Sequence, residues 1–247
     1  MNAPNSAHEF EPQRSPKKRE PVFNLPSVIV AMAAVLLGIH AITEWLLNQD
    51  QNFQLRLTFA FIPAYFSYPV DQIPVPAARF WNVVSYALLH GNLMHVGINV
   101  LWMLAFGTVV ARRFGSSLFL IFCVITAIAG ALAHLAVNWG SPGLLIGFSA
   151  VDSGLMGAAC RFMFTPSWPG AQPHEKQGLG LLASLSNRSV LGFAGFWLVL
   201  NFVIGSGLVP VFGDVSIAWE AHMGGFFAGF FLLPLFDRLL PRRSSLP

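Results

Sequence analysis

The 247-residue chain is 55% hydrophobic and only 10% charged, with a net charge of +3 and a mean hydropathy of +0.61. A soluble domain carries roughly 25% charged residues, so this composition excludes a water-soluble protein and indicates an integral membrane protein. Nucleic-acid binding is excluded as well, because the sequence has no basic stripe with interleaved aromatic residues. The two cysteines, Cys123 and Cys160, fall in apolar segments, where we expect packed thiols rather than a disulfide.

Residues 1–25 are polar, rich in proline and marked by a basic cluster at Arg14, Lys17, Lys18 and Arg19. This composition predicts a disordered, basic cytoplasmic tail. The apolar run that follows is too long for the apolar region of a signal peptide, so we expect it to be retained as a membrane span.

Six apolar stretches approach the length of about 20 residues that a membrane-spanning helix needs. They lie at about residues 27–47, 92–111, 117–138, 149–165, 189–209 and 218–236. The predicted fold is therefore an all-α polytopic membrane protein, with a bundle of six transmembrane helices in one domain at residues 26–238. A short basic tail at residues 239–247 is expected to be cytoplasmic.

Residues 48–91 form a segment that is too polar to span a membrane and too apolar for a free loop. It is rich in aromatic residues and prolines, including Phe59, Phe61, Pro63, Tyr65 and Pro69. Aromatic side chains are enriched at the depth of the lipid headgroups. The pattern predicts an interfacial loop that is partly embedded in the membrane.

Basic residues predict the orientation of the spans. One side of the predicted bundle carries the N-terminal cluster and eight further basic residues: Arg112, Arg113, Arg161, Lys176, Arg188, Arg238, Arg242 and Arg243. The other side has Arg56 and Arg79. Because positively charged loops remain in the cytoplasm, both termini are expected there. The expected location is a bacterial inner membrane.

The fourth apolar stretch is short, and its start is unusual. Residues 140–143 (Gly-Ser-Pro-Gly) break the chain, and the helical pattern begins only near Ser149. Irregular backbone at membrane depth is tolerated only against protein or a water-filled cavity. We therefore expect Ser149 to begin a helix inside the membrane, at the floor of a cavity that opens to the outside.

Ser149 and His222 are polar residues within apolar stretches, and such residues are functional candidates by default. The backbone N–H groups at a helix N-terminus can stabilise a developing oxyanion. A neutral imidazole is the usual base for a serine hydroxyl. The two residues together indicate nucleophilic catalysis.

Small residues follow both candidates at helical spacing. Ser153 and Gly157 continue the face of the serine, and Gly225 and Gly229 continue the face of the histidine. Faces of small residues let membrane helices approach closely. Such an approach would bring the serine and the histidine within hydrogen-bond reach.

A third candidate group lies near the start of the second apolar stretch. His95 and Asn99 are four residues apart, hence on one helix face, and both are side-chain donors that suit an oxyanion hole. A purely structural hydrogen bond between helices is the alternative for this pair. His90 fits either loop anchoring or function.

Each of the other candidates also has a structural interpretation. Ser149 could simply cap a membrane helix, and His222 could be a hydrogen-bonded structural histidine. Ser153 fits the role of a small packing residue. Glu220, at the outer end of the sixth stretch, is interpreted as an interface anchor.

The motifs that carry these residues resemble those of the rhomboid family of intramembrane serine proteases. That family has a six-helix core with H-x-x-x-N on its second helix, G-x-S at the start of a short fourth helix, and A-H-x-x-G on its sixth. Here the matching residues are His95 and Asn99, then Gly147 and Ser149, then Ala221, His222 and Gly225. The resemblance extends over roughly residues 27–238.

The resemblance implies that Ser149 is the nucleophile and His222 the general base of a dyad without a carboxylate. It also implies that the Ser149 backbone amide, His95 and Asn99 form the oxyanion hole. Four further residues would support the site: Gly147, His90, Ser153 and Gly225.

By the same resemblance, the substrates are single-span transmembrane proteins in the lipid bilayer, cleaved in or near their helices. Neither a metal nor a cofactor is implied, and nucleic acid is not an expected partner. Two other classes remain open: a catalytically silent rhomboid-like protein that binds membrane helices, and a small transporter. Absence of an internal repeat counts against the transporter.

Three positions depart from the family pattern: Ala150 follows the nucleophile, Asn82 follows Trp81 where arginine is frequent, and Asp152 replaces an apolar residue. Ser149 and Asp152 have the spacing of a capping box, in which the acid accepts a hydrogen bond from the serine's own N–H. We therefore expect Asp152 to occupy that N–H, with packing against another helix as the alternative.

Overall fold

The computed structural model describes residues 24–165, 172–176, 178–206 and 217–240. The predicted disordered tail at residues 1–25 and the basic tail at residues 239–247 lie outside the described residues, apart from their inner two residues. The predicted end of the fifth span, at residues 207–209, also lies outside them.

The described part of the chain is helical and contains no strand. Its α-helices are α1 (Ser27–Ala41), α2 (Gln49–Phe59), α3 (Asn82–Ser85), α4 (Leu93–Trp102), α5 (Thr108–Val137), α6 (Ser149–Met163), α7 (Leu181–Ser186), α8 (Arg188–Gly205) and α9 (Trp219–Leu239). A π-helical turn extends α1 over Ile42–Leu46, and another over Met103–Gly107 joins α4 to α5.

Three continuous helical stretches of the described residues are long and apolar enough to cross a membrane: Ser27–Leu46, Leu93–Val137 and Arg188–Gly205. The second is 45 residues long. Gly115, with φ 74° and ψ 168°, interrupts its helical backbone between the predicted second and third spans. These stretches support an integral membrane protein, as the composition predicted.

α6 forms the centre of the bundle and packs against both α5 and α9, which also pack against each other. Every residue from Ala150 to Phe162 is buried. The close packing rests on glycines: a Cβ at Gly225 would lie 1.9 Å from the Ala150 carbonyl oxygen, and one at Gly229 would lie 1.9 Å from the Gly154 carbonyl oxygen. No side chain fits in that space, so small residues set the distance between α6 and α9.

The segment at residues 48–91 is more ordered than a loop, because it contains α2. Asn48 and Gln51 form a reciprocal capping box: the Asn48 side chain accepts from the Gln51 N–H at 2.9 Å, and the Gln51 side chain accepts from the Asn48 N–H at 3.0 Å. The Asn-x-x-Gln spacing is a helix-start signal. The sequence therefore contained a sign of this helix that hydropathy alone does not detect.

Candidate active site

The backbone that precedes Ser149 is held in place by hydrogen bonds to other segments. Phe61 and Leu145 exchange two backbone hydrogen bonds, of 3.1 and 2.9 Å. The Gly147 N–H donates to the Tyr86 carbonyl at 3.0 Å, and the Tyr86 hydroxyl donates to the Ala127 carbonyl at 2.8 Å. These bonds fix the point at which α6 begins.

Gly147 occupies a position that no other residue fits. Its φ of +117° lies in the region that L-residues rarely adopt. A Cβ there would also lie 2.6 Å from His95 Nε2. The glycine of the predicted motif thus lets the chain turn into α6 while the His95 ring lies against it.

Ser149 is the first residue of α6 and is partly exposed, whereas the residues after it are buried. Its Oγ lies 2.7 Å from Nε2 of His222, which is in the first turn of α9. The close packing of α6 against α9 produces this distance, as the small-residue faces predicted. The N–H groups in the first turn of α6 have no partner within the helix.

Asn201, on α8, completes a chain of hydrogen bonds that the sequence analysis missed. Its Oδ1 lies 2.6 Å from His222 Nδ1, and its Nδ2 donates to the Trp219 carbonyl at 3.0 Å. Asn201 is a polar residue in an apolar span, so the argument applied to Ser149 and His222 would have identified it.

His95 and Asn99 lie on the face of α4 that meets Gly147. The Gly91 N–H donates to His95 Nδ1 at 3.4 Å, so a neutral ring carries its proton on Nε2, the atom beside Gly147. Asn99 Nδ2 is buried with no hydrogen-bond partner in the described part of the chain. Two N–H donors therefore lie beside the segment just before Ser149, and the Asn99 donor is buried without a partner in the described residues.

His90 has an anchoring position. It is buried, its Nε2 accepts from the Phe148 N–H at 3.4 Å, and its ring meets the His95 ring edge-on at 5.0 Å between centroids. It thus contacts both the start of α6 and the first of the two α4 donors.

Ser153 and Gly225 shape α6 and its packing. The Ser153 hydroxyl donates to the Ser149 carbonyl at 2.7 Å, one turn earlier, and is buried. Gly225 provides the close contact with Ala150 described above. Neither residue donates to or accepts from His222 among the described contacts.

The capping-box prediction for Asp152 is wrong. Both of its carboxyl oxygens are buried without a hydrogen-bond partner in the described residues, and no side chain caps α6. Asp152 lies within electrostatic range of Cys123 on α5 instead. The carboxyl is thus buried among the helices and does not turn back to the Ser149 N–H.

Glu220 is not an interface anchor, contrary to prediction. It is buried, and its Oε1 lies 2.6 Å from His134 Nδ1 and 2.7 Å from Asn138 Nδ2, both near the end of α5. The three side chains tie the first turn of α9 to α5, two residues before His222. No group of three His, Cys, Asp or Glu side chains in the described ranges is arranged to hold a metal ion.

A comparison with protein families agrees with this geometry. The model of the Rhomboid domain matches residues 77–238, which include α3 through most of α9 and all the site residues named above. The match covers more than half of the chain and includes the helices that carry Ser149, His222, His95 and Asn99. The chain is an integral membrane protein that belongs to the rhomboid family.

Proposed function

We propose that this protein is an intramembrane serine endopeptidase, which hydrolyses peptide bonds in or near the transmembrane helices of single-span substrate proteins. The observation that carries the proposal is the distance of 2.7 Å between Ser149 Oγ and His222 Nε2. It joins a nucleophile at a helix start to a base on a second helix, in the arrangement that nucleophilic catalysis requires.

Acylation would begin when the Ser149 Oγ attacks the carbonyl carbon of the scissile peptide. His222 Nε2 takes the hydroxyl proton, and the carbonyl oxygen becomes an oxyanion. The Ser149 N–H, the His95 Nε2–H and the Asn99 Nδ2–H are the donors available to it. Collapse of the intermediate breaks the C–N bond, and His222 returns its proton to the leaving amine.

Deacylation would repeat these steps with water. His222 removes a proton from the water, whose oxygen attacks the acyl carbon of the Ser149 ester. The C–O bond then breaks, the proton returns to Ser149 Oγ, and the new carboxyl end leaves. Partial exposure of Ser149 and His222 supports access for this water.

The membrane arrangement we propose has six crossings, a first loop embedded at the interface, and both termini in the cytoplasm. The break at Gly115 supports two crossings within the helical stretch Leu93–Val137. Reporter fusions at both ends test the orientation. A C-terminal reporter that is active only outside the cytoplasm would contradict the even number of crossings and the placement of Ser149.

Labelling with a fluorophosphonate tests the activity class. The wild-type protein in detergent should label, Ser149→Ala should not, and a Ser186→Ala control on exposed α7 should label like wild type. Wild type and Ser186→Ala should also cleave a reconstituted single-span substrate with small residues near its outer end, and Ser149→Ala should not. A wild-type protein that folds but neither labels nor cleaves would favour a silent helix-binding protein or a transporter.

A further inference from the structure

We propose that Asn201 is a positioning residue, which holds the His222 ring in the tautomer and orientation that the proposed proteolysis needs. The inference rests on the proposed function, but the NMR measurement of the His222 tautomer does not depend on activity. It extends the pair Ser149–His222 to a third side chain, contributed by α8.

The hydrogen-bond partners determine which way the Asn201 amide points. The Trp219 backbone carbonyl can only accept, so the Asn201 atom 3.0 Å from it is the NH₂ group. The amide oxygen therefore faces His222, at 2.6 Å from Nδ1. The orientation is set by a backbone group of α9, not by His222 itself.

The same reasoning determines where the His222 proton lies. An amide oxygen only accepts, so Nδ1 must carry the hydrogen. In the neutral ring, Nε2 then bears the free lone pair, and it lies 2.7 Å from Ser149 Oγ. Asn201 thus selects the tautomer in which His222 can receive the serine proton.

Burial of Asn201 also holds the His222 ring in this tautomer and orientation. Asn201 is one of only two buried residues of α8, with Val190, although its neighbours Leu200 and Phe202 are exposed. A buried amide that lost one partner would have an unsatisfied group, at a cost of about 1–3 kcal/mol. Rotation of the His222 ring away from Ser149 would break this bond, so the ring is held in place.

Two other titratable side chains act electrostatically on His222: Glu220 on its own helix and His95 on α4. Glu220 is already hydrogen-bonded to His134 and Asn138. Among the described contacts, Asn201 is the residue that binds His222 Nδ1 directly, and it does so without a charge.

The test compares Asn201→Leu, which removes the acceptor at similar size, with Asn201→Asp, which keeps an acceptor oxygen. Asn201→Leu should lower kcat on the order of 10- to 100-fold, which is less than most of the roughly 100- to 10,000-fold that general acid–base catalysis contributes, because the base itself remains. KM should change less than about threefold, since Asn201 does not face the substrate. Val199→Ala, an exposed change on the same helix, should retain wild-type kcat.

Asn201→Asp should recover most of the lost activity and shift the acid limb of the pH profile upward, because a carboxylate favours the protonated imidazole. A merely structural role would give no rescue of kcat. The proposal is overturned if Asn201→Leu keeps kcat within twofold, if KM alone rises, or if the aspartate variant is as inactive as the leucine variant.

Nitrogen-15 NMR of ring-labelled histidine in the Ser149→Ala protein gives a readout without activity. His222 should show the Nδ1–H tautomer with Asn201 present and a mixture of tautomers in Asn201→Leu. A wild-type tautomer in the leucine variant overturns the positioning role. If the wild-type protein cleaves nothing but its tautomer depends on Asn201, the proposed function fails and the positioning role stands.

Discussion

The inner helices α6 and α9 differ from the outer helices α4 and α8 in what they bury and in what they contribute. α6 buries thirteen consecutive residues, from Ala150 to Phe162, and it meets α9 through glycines that leave no room for a side chain. By contrast, α4 buries Val96 and Asn99, and α8 buries Val190 and Asn201. Each outer helix thus turns one asparagine towards the pair that the inner helices hold. The groups proposed to react lie on the most constrained backbone, and neutral hydrogen-bonding groups come from the outer helices.

The largest effects should follow from changes on the inner helices. We expect Ser149→Ala and His222→Ala each to abolish cleavage of a model transmembrane substrate without loss of folded protein. The double variant should be no worse than either single one, because residues that act as a unit are not additive. Turnover by purified protein measures this, and substantial cleavage by Ser149→Ala would contradict the assignment of the nucleophile.

Changes on α4 should reduce activity without abolishing it. His95→Ala and Asn99→Ala remove one donor each, and loss of an oxyanion donor costs about 100- to 1000-fold in kcat. KM should change much less, because the donors act on charge that develops only in the transition state. Steady-state kinetics decides between the roles: a rise in KM at constant kcat would mean that the two residues position the substrate or the fold.

Glycine-to-alanine changes test the packing side of the comparison. Gly225→Ala places a methyl group 1.9 Å from the Ala150 carbonyl oxygen, so α6 and α9 must separate and stability should fall by about 1–3 kcal/mol or more. Gly195→Ala on α8 meets no atom within 4 Å and should stabilise the helix by roughly 0.5–1 kcal/mol. Thermal unfolding in detergent measures both. Equal effects would show that α8 is packed as tightly as α9.

The smallest change in activity is expected at Asp152, which belongs to α6 but whose carboxyl makes no hydrogen bond in the described structure. Asp152→Val replaces a buried polar group that lacks a partner, and should stabilise the protein by about 1–3 kcal/mol. Turnover should stay within twofold of wild type, since the carboxyl forms no hydrogen bond with Ser149 or His222. A folded variant that has lost its activity would show that Asp152 takes part in the reaction.

The sequence predicted the inner helices well because the physics that defines them is local. Long apolar runs define the spans, and the residues between 140 and 149 indicate a late helix start, which the structure has at Ser149. The small residues around Gly225 and Gly229 predicted the close approach of α6 and α9. Each of these signals is carried by a short stretch of residues.

Contacts between distant segments were harder to predict. Asn201 is hydrogen-bonded to Trp219 and His222, which are 18 and 21 residues away, so no spacing rule marks it, and the available signal was its polarity within an apolar span. Asp152 was misjudged because the capping-box rule is local, whereas the direction of its side chain is set by the burial of α6 against α5. Glu220 was misjudged in the same way, since its partners His134 and Asn138 come from another helix.

The turn at Gly147 has a genetic consequence. The His95 ring fills the space where a side chain at position 147 would begin, so the two positions share one volume. An alanine at position 147 would displace the His95 ring, which the proposed chemistry uses. In a variant that already lacks this ring, the alanine should cause no further loss of activity by that route. Positions 95 and 147 should therefore show epistasis, even though they belong to different motifs.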